Sequence, residues 1–166
     1  MIIVSLYRKE DRNGKVYIRT DKEPICPICS SALRVIGSRE RKVIEMNGNR
    51  QSYVIRRLRC KNCETVHHEL PDLLIPYKRH CANTIEQIIA KHEPFGVATT
   101  PQSNTVRRVK QWWNVVEAYF WFIVGALEAR LGCALNIIPR PRTLVRAAVN
   151  SHNWVHTRSV VCSLGG

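Results

Sequence analysis

Two Cys-x-x-Cys pairs, Cys26/Cys29 and Cys60/Cys63, stand thirty residues apart, and they restrict what this chain can fold into more than any other feature. Each pair offers two thiolates from one tight turn, so two turns fill the four positions of a tetrahedral, sulfur-rich metal site. The pattern predicts one structural Zn2+, because a closed sulfur shell leaves no position for a reactive water. Four reduced cysteines serving as small apolar residues is the alternative, and it gives no reason for two matched spacings. Between the pairs, the runs Leu33 to Met46 and Tyr53 to Arg59 read as strands around Asn47-Gly48-Asn49, a strong hairpin signal. A further extended run, Thr65 to Leu70, completes a zinc ribbon, a small antiparallel sheet carrying the four-cysteine site.

A chain of 166 residues accommodates two small units. The expected class is α+β: a zinc-ribbon β domain over residues 1–78, then a helical, helix-turn-helix-like domain over residues 79–166. Pro71 and Pro76 bracket the proposed connector, Asp72 to Ile75. An earlier turn at Asn13-Gly14 lies between Ile2 to Tyr7 and Val16 to Ile18, which predicts a hairpin of those two stretches beside the ribbon.

Charge narrows the partner. Lys and Arg number 26 against 13 Asp and Glu, a formal charge of +13, which points to a polyanion and to nucleic acid first. Seven cysteines, an odd number, and an amino terminus without signal-peptide features favour a reducing cytoplasm over a secreted disulfide scaffold. The longest uncharged apolar run, Ala118 to Leu127, is too short to span a bilayer. Arg39, Arg41 and Lys42 on one strand and Arg50, Arg56, Arg57 and Arg59 on the next crowd seven cations onto a small sheet. Strand alternation puts Arg57 and Arg59 on one side and Arg56 on the other with Val54 and Leu58. Guanidinium groups in that number are expected to meet phosphate or an acidic protein surface. His67, His68, His80 and Cys81 read as ordinary positions, since four thiolates already complete a shell.

The second half is helical in pattern. Ile85, Ile88 and Ile89 recur at helical spacing, and Asn83 with Glu86 resembles a capping box. Pro94 and Gly96 end that segment, and a new helix is expected near Pro101 to Asn104 with Thr100 or Ser103 as its cap. Val106, Val109, Trp113, Val116, Phe120, Ile123 and Leu127 then follow one seam. Asn104, Arg107, Arg108 and Gln111 line the opposite face of its first two turns, residue types suited to reading base edges in a major groove. The same pattern also describes any amphipathic surface helix. Trp112, Tyr119, Trp121 and Phe122 make its later part apolar on nearly all sides, which predicts burial in the core or against another subunit or protein partner. A last helix around Leu144 to Val149 and a final extended segment from Asn153 to Cys162 complete the reading.

The words Arg56-Arg57-Leu58-Arg59-Cys60-Lys61-Asn62-Cys63 and His67-His68-Glu69-Leu70-Pro71 resemble the zinc-ribbon region at the start of many bacterial insertion-sequence transposases. Leu70-Pro71-Asp72 to Pro76-Tyr77-Lys78-Arg79, with Ser103 to Arg108 and Trp112-Trp113, is similar to a short bacterial family of unknown function often met near mobile elements. The resemblance covers about residues 24–115 and implies a zinc ribbon followed by a helix-turn-helix. A full transposase adds a nuclease domain holding two metals on three carboxylates. Here no Asp follows Asp72, and no phosphate-cradling loop, nucleophile elbow or His-Glu-x-x-His pair is present, so no enzyme is expected. The expected function is sequence-preferring binding of double-stranded DNA, as a regulator or accessory factor of a mobile element. A protein-interaction adaptor, or an inhibitor derived from a transposase, is the alternative.

Overall fold

The computed structural model describes residues 1–90 and 103–154. It is a mixed α+β arrangement: six strands, β1 (Ile2–Val4), β2 (Arg8–Arg12), β3 (Lys15–Arg19), β4 (Leu33–Ile44), β5 (Arg50–Cys60) and β6 (Val66–Pro71), then helices α1 (Ala82–Ile89), α2 (Ser103–Leu131) and α3 (Pro141–Asn150). The expected breaks at Pro94 and Gly96, the cap at Thr100, and the extended segment beyond Trp154 lie outside the described residues.

The β4–β5 hairpin is the spine. It pairs antiparallel from Leu33 opposite Cys60 to Ile44 opposite Arg50. The turn closes where expected: Gly48 takes a φ of 80°, Gly48 N–H donates to Glu45 O, and Asn49 N–H donates to the Asn47 side chain. The other edge of β5 is shared, residues 57–59 with β6 and residues 52–54 with β3.

The expected small antiparallel sheet is corrected to a mixed one, because β3 runs parallel to β5 and β1 parallel to β6. The expected first hairpin is corrected as well. Its turn at Asn13-Gly14 is present, with both φ angles positive, but its first arm is β2, the charged run Arg8–Arg12. An edge strand can be charged, since one side faces water and charge discourages pairing with other chains. The apolar Ile2–Val4 instead joins the far edge of β6, where Ile3 sits beside Leu70 in the core. The outer edge of β1 is completed by a side chain: Ile3 N–H donates to Asn150 Oδ1 at 2.7 Å, and Asn150 Nδ2 donates to Ile3 O at 2.9 Å.

Cross-strand partners share a face, so register assigns every side chain. On one face Tyr53, Ile55, Val43, Leu70, Ile3 and Ile18 form the main core with the helices. On the opposite face, at the other end of the spine, Leu33, Leu58, Cys26 and Cys60 form a second, smaller cluster. The main cluster includes Leu74, Ile75, Cys81 and Ala82, so the chain crosses residue 78 without leaving the core.

Helix α2 buries the seam expected of it: Val109, Trp113, Val116, Phe120 and Ile123 are all buried, joined by Trp112 and Val124. Within the single chain that burial is one-sided. Phe122 is 70% exposed, and Val115, Trp121 and Leu131 also face outward, because α1 and α3 cover one side of α2 only. Helix α1 is capped by Cys81, not Asn83; the Asn83 carboxamide accepts a hydrogen bond from Arg142 on α3 instead. Among the described residues no helix is long and apolar enough to cross a membrane.

Candidate metal centre and cationic sheet face

The two Cys-x-x-Cys turns are built alike. Cys26 N–H donates to Ser31 O and Cys60 N–H to Thr65 O, closing each turn five residues on. The residue after each second cysteine, Ser30 and Glu64, adopts a left-handed conformation with φ of 58° and 57°. This matched geometry brings the four Sγ atoms within 4.8 Å of one another. Cys26 and Cys63 sulfurs lie 3.6 Å apart and those of Cys29 and Cys60 3.4 Å. Four thiolates around one ion at a metal–sulfur distance of about 2.3 Å would lie about 3.8 Å from each other, so the residues fit a tetrahedral site. None of the four is in a disulfide, and the cluster could hold a metal ion.

The surroundings favour thiolates. The Ser31 backbone N–H and hydroxyl hold the Cys29 thiol down to about 5, and Thr65 lowers that of Cys63. Asn62 N–H donates toward Cys60 Sγ at 3.4 Å. Burial pushes the Cys26 thiol up to about 11, a cost that a bound cation reverses. His67, buried beside Leu58 on the neighbouring strand, sits with Nε2 3.5 Å from Cys26 Sγ and Nδ1 3.3 Å from the Met1 amine. It is thus an outer neighbour of the cluster that orients a sulfur.

The seven strand cations divide between faces as alternation requires. Arg56 lies with Leu58 and Cys60, and its guanidinium grips the buried Glu69: Nε to Oε2 at 2.7 Å and Nη2 to Oε1 at 2.8 Å, with Thr20 donating to Oε1 at 3.0 Å. Arg41 turns inward and donates to the Ile75 and Lys78 carbonyls at 2.7 and 3.0 Å. These two of the candidate nucleic-acid contacts are engaged by the fold itself. Arg39 and Arg57 remain open on the helix-side face, and Arg59 shares that face, paired at 3.2 Å with the exposed Glu64. Neither Arg39 nor Arg57 forms an ion pair among the described residues.

A bulge adds a member that the strand pattern hides. Register shifts between Val35 and Gly37, and Gly37 takes a φ of 149° that side-chain-bearing residues rarely adopt. The extra residue reverses the alternation, so Arg34 falls directly opposite Arg59 and on the same side as Arg39 and Arg57. His68 is opposite Arg57 on that face, and burial followed by the nearby Arg39 and Arg57 lowers its imidazole below the usual range. One half of a sheet face is therefore apolar beneath helices, and the other half is an open cationic field.

Asn104, Arg107, Arg108 and Gln111 are all exposed on the first turns of α2. A chain of contacts links that helix to the sheet. Arg41 holds the Lys78 carbonyl, and Lys78 Nζ stands 3.9 Å over the Trp112 ring, one turn beyond Arg108. Helices α1 and α2 are separated by residues 90–102, a longer connection than the turn of about three to four residues in a helix-turn-helix.

A family model described as Domain of unknown function (DUF6431) matches residues 26–109. The chain belongs to this family. The DUF6431 match begins at the first metal-site cysteine and ends in the second turn of α2, so it takes in the four sulfurs, the cationic half-face, Arg107 and Arg108. The aromatic part of α2 and all of α3 lie beyond it. No curated protein and no solved structure matches the chain.

Proposed function

We propose that this protein is a cytoplasmic zinc-ribbon DNA-binding protein, not an enzyme, serving as a regulator or accessory factor of a mobile element. One structural zinc on Cys26, Cys29, Cys60 and Cys63 holds the cationic half-face in shape, and the first turns of α2 act as a recognition helix, reached through a longer connection than a helix-turn-helix uses. The observation that carries the reading is the register of Arg34 against Arg59, with Arg39 and Arg57 on the same face. Like charges directly opposite on neighbouring strands are unfavourable alone, and a row of phosphates relieves them. Arg39, Arg57 and Arg59 then contact backbone, while Asn104, Arg107, Arg108 and Gln111 reach base edges.

The test is fluorescence anisotropy with labelled duplexes over a salt series. Neutralising about four to six phosphates gives a log–log slope near −4 to −5. Arg107→Ala and Arg108→Ala should weaken a selected sequence more than a random one. An affinity indifferent to salt would refute the proposal. A protein-docking role is the second reading, favoured by the outward Phe122 on a segment beyond the family match. It predicts a partner-dependent complex on a sizing column and no duplex binding at moderate salt.

A further inference from the structure

The carboxyl-terminal end of α2, the segment after it and α3 enclose a second cationic feature, far along the chain from the sulfur cluster. Gly132, with φ of 67°, ends α2, and Glu128 Oε1 accepts the Leu135 N–H at 2.8 Å, folding the following segment back beside the helix. Between that segment, α2 and α3 lies a cleft of about 480 Å³, within the range of small-molecule sites. Leu127, Ile138 and Ala147 supply apolar walls. Arg130, Arg146 and Asn136 also line it, and none has a hydrogen-bond or ion-pair partner among the described residues. No described lining residue is acidic, and the nearby Glu128 carboxylate is taken up by the Leu135 N–H, so two guanidinium groups line the cleft beside apolar surface with no ion pair among the described residues.

We propose that this cleft binds a small apolar carboxylate, with Arg130 and Arg146 meeting the charge and the apolar walls taking the alkyl or aryl body. The planar guanidinium fork matches a carboxylate and is weakly hydrated, so pairing costs little desolvation. The walls add burial that a bare anion cannot use. The site is independent of nucleic-acid binding, because none of its residues belongs to the sheet face or the first turns of α2.

Calorimetric titration of the zinc-loaded full chain with octanoate, octanol and acetate at constant ionic strength tests this. Octanoate should bind about tenfold or more tightly than either control, since it alone offers both charge and apolar body. The paired change Arg130→Gln and Arg146→Gln should weaken octanoate by about tenfold or more and leave octanol unchanged. Ile138→Glu, at a residue 56% exposed, should weaken octanoate by a larger factor than octanol, because it takes part of an apolar wall from both and places a carboxylate at the mouth against octanoate alone. Saturating duplex DNA should leave octanoate binding intact. Equal binding of octanol, equal binding of acetate, indifference to Ile138→Glu, or displacement by duplex would each overturn the proposal, the last by assigning the two arginines to nucleic acid.

Discussion

Arg56→Ala and Arg57→Ala, one residue apart, should injure the protein in different ways. Arg56 is largely enclosed, with a side chain 17% exposed, and it is the ion-pair partner of a Glu69 side chain only 1% exposed. Truncating it strands a buried carboxylate with Thr20 as its remaining side-chain donor. Breaking such a pair costs about 3–5 kcal/mol. Residual solvent contact at Arg56 places the loss near the lower end, about 3 kcal/mol, and for a chain of this size that lowers the thermal midpoint by about 6–12 °C. Arg57 is exposed and forms no ion pair among the described residues, so its removal should change stability by less than about 0.5 kcal/mol. It should instead flatten the salt dependence of duplex binding by about one unit of log–log slope. Thermal melts by far-UV circular dichroism and anisotropy titrations on the same samples read both effects. Arg56→Met combined with Glu69→Leu should recover most of the lost stability, because no buried charge is left unpaired. Equal destabilisation by the two single changes, or no rescue by the double change, would refute the assignment of faces.

Four further outcomes follow from the same geometry. Chelation should release one zinc per chain and collapse the far-UV signal of the sheet, since structural zinc contributes about 10–16 kcal/mol to small folds of this kind; metal analysis beside circular dichroism checks it. Gly37→Val should destabilise the bulge by about 1–3 kcal/mol and weaken duplex binding even though it removes no charge, because Arg34 loses its place opposite Arg59. Phe120→Ala should cost about 3–5 kcal/mol by leaving a cavity, whereas Phe122→Ala, two residues on, should cost less than about 1 kcal/mol in urea titrations. Burial lowers the Lys78 ammonium from 10.5 to about 8. The unfolded chain therefore binds the extra proton between those values, so stability from this site rises as pH climbs from about 8 to 10.5, and Lys78→Met should flatten that rise in urea midpoints.

Much of the fold was legible where the signal was local. The matched cysteine spacings specify two like turns, Asn47-Gly48 specifies the hairpin that brings them together, and the period from Val106 to Leu127 specifies the buried seam of α2. The rest depended on distant partners. Nothing near Ile2 announces that it will run parallel to Val66–Pro71, and the charges of Arg8–Arg12 conceal a strand that needs no apolar side. Alternation separated Arg56 from Arg57 correctly, yet the reason Arg56 is occupied lies thirteen residues away at Glu69. Arg34 was missed because a single extra residue at Ile36-Gly37 reverses the count, and the glycine was its one local sign. Asn83 offered a plausible cap, but Arg142, fifty-nine residues later, claims its carboxamide. The outward Phe122 was invisible in principle, since an aromatic helix reads alike whether its second side meets a core or water.

The Asn150 amide that completes Ile3 imposes a timetable on synthesis. The two residues are 147 positions apart, and a ribosome adding about 5–20 residues per second covers that span in about 7–30 s. The four sulfurs and the small cluster of Leu33 and Leu58 beside them all come from residues 26–63, so that part can close early. The first strand meanwhile presents a bare rim of peptide groups to its surroundings, a template for pairing with other nascent chains. Asn150→Leu would leave that rim open for the life of the molecule, and the cell would meet the defect as aggregation before it met any loss of binding.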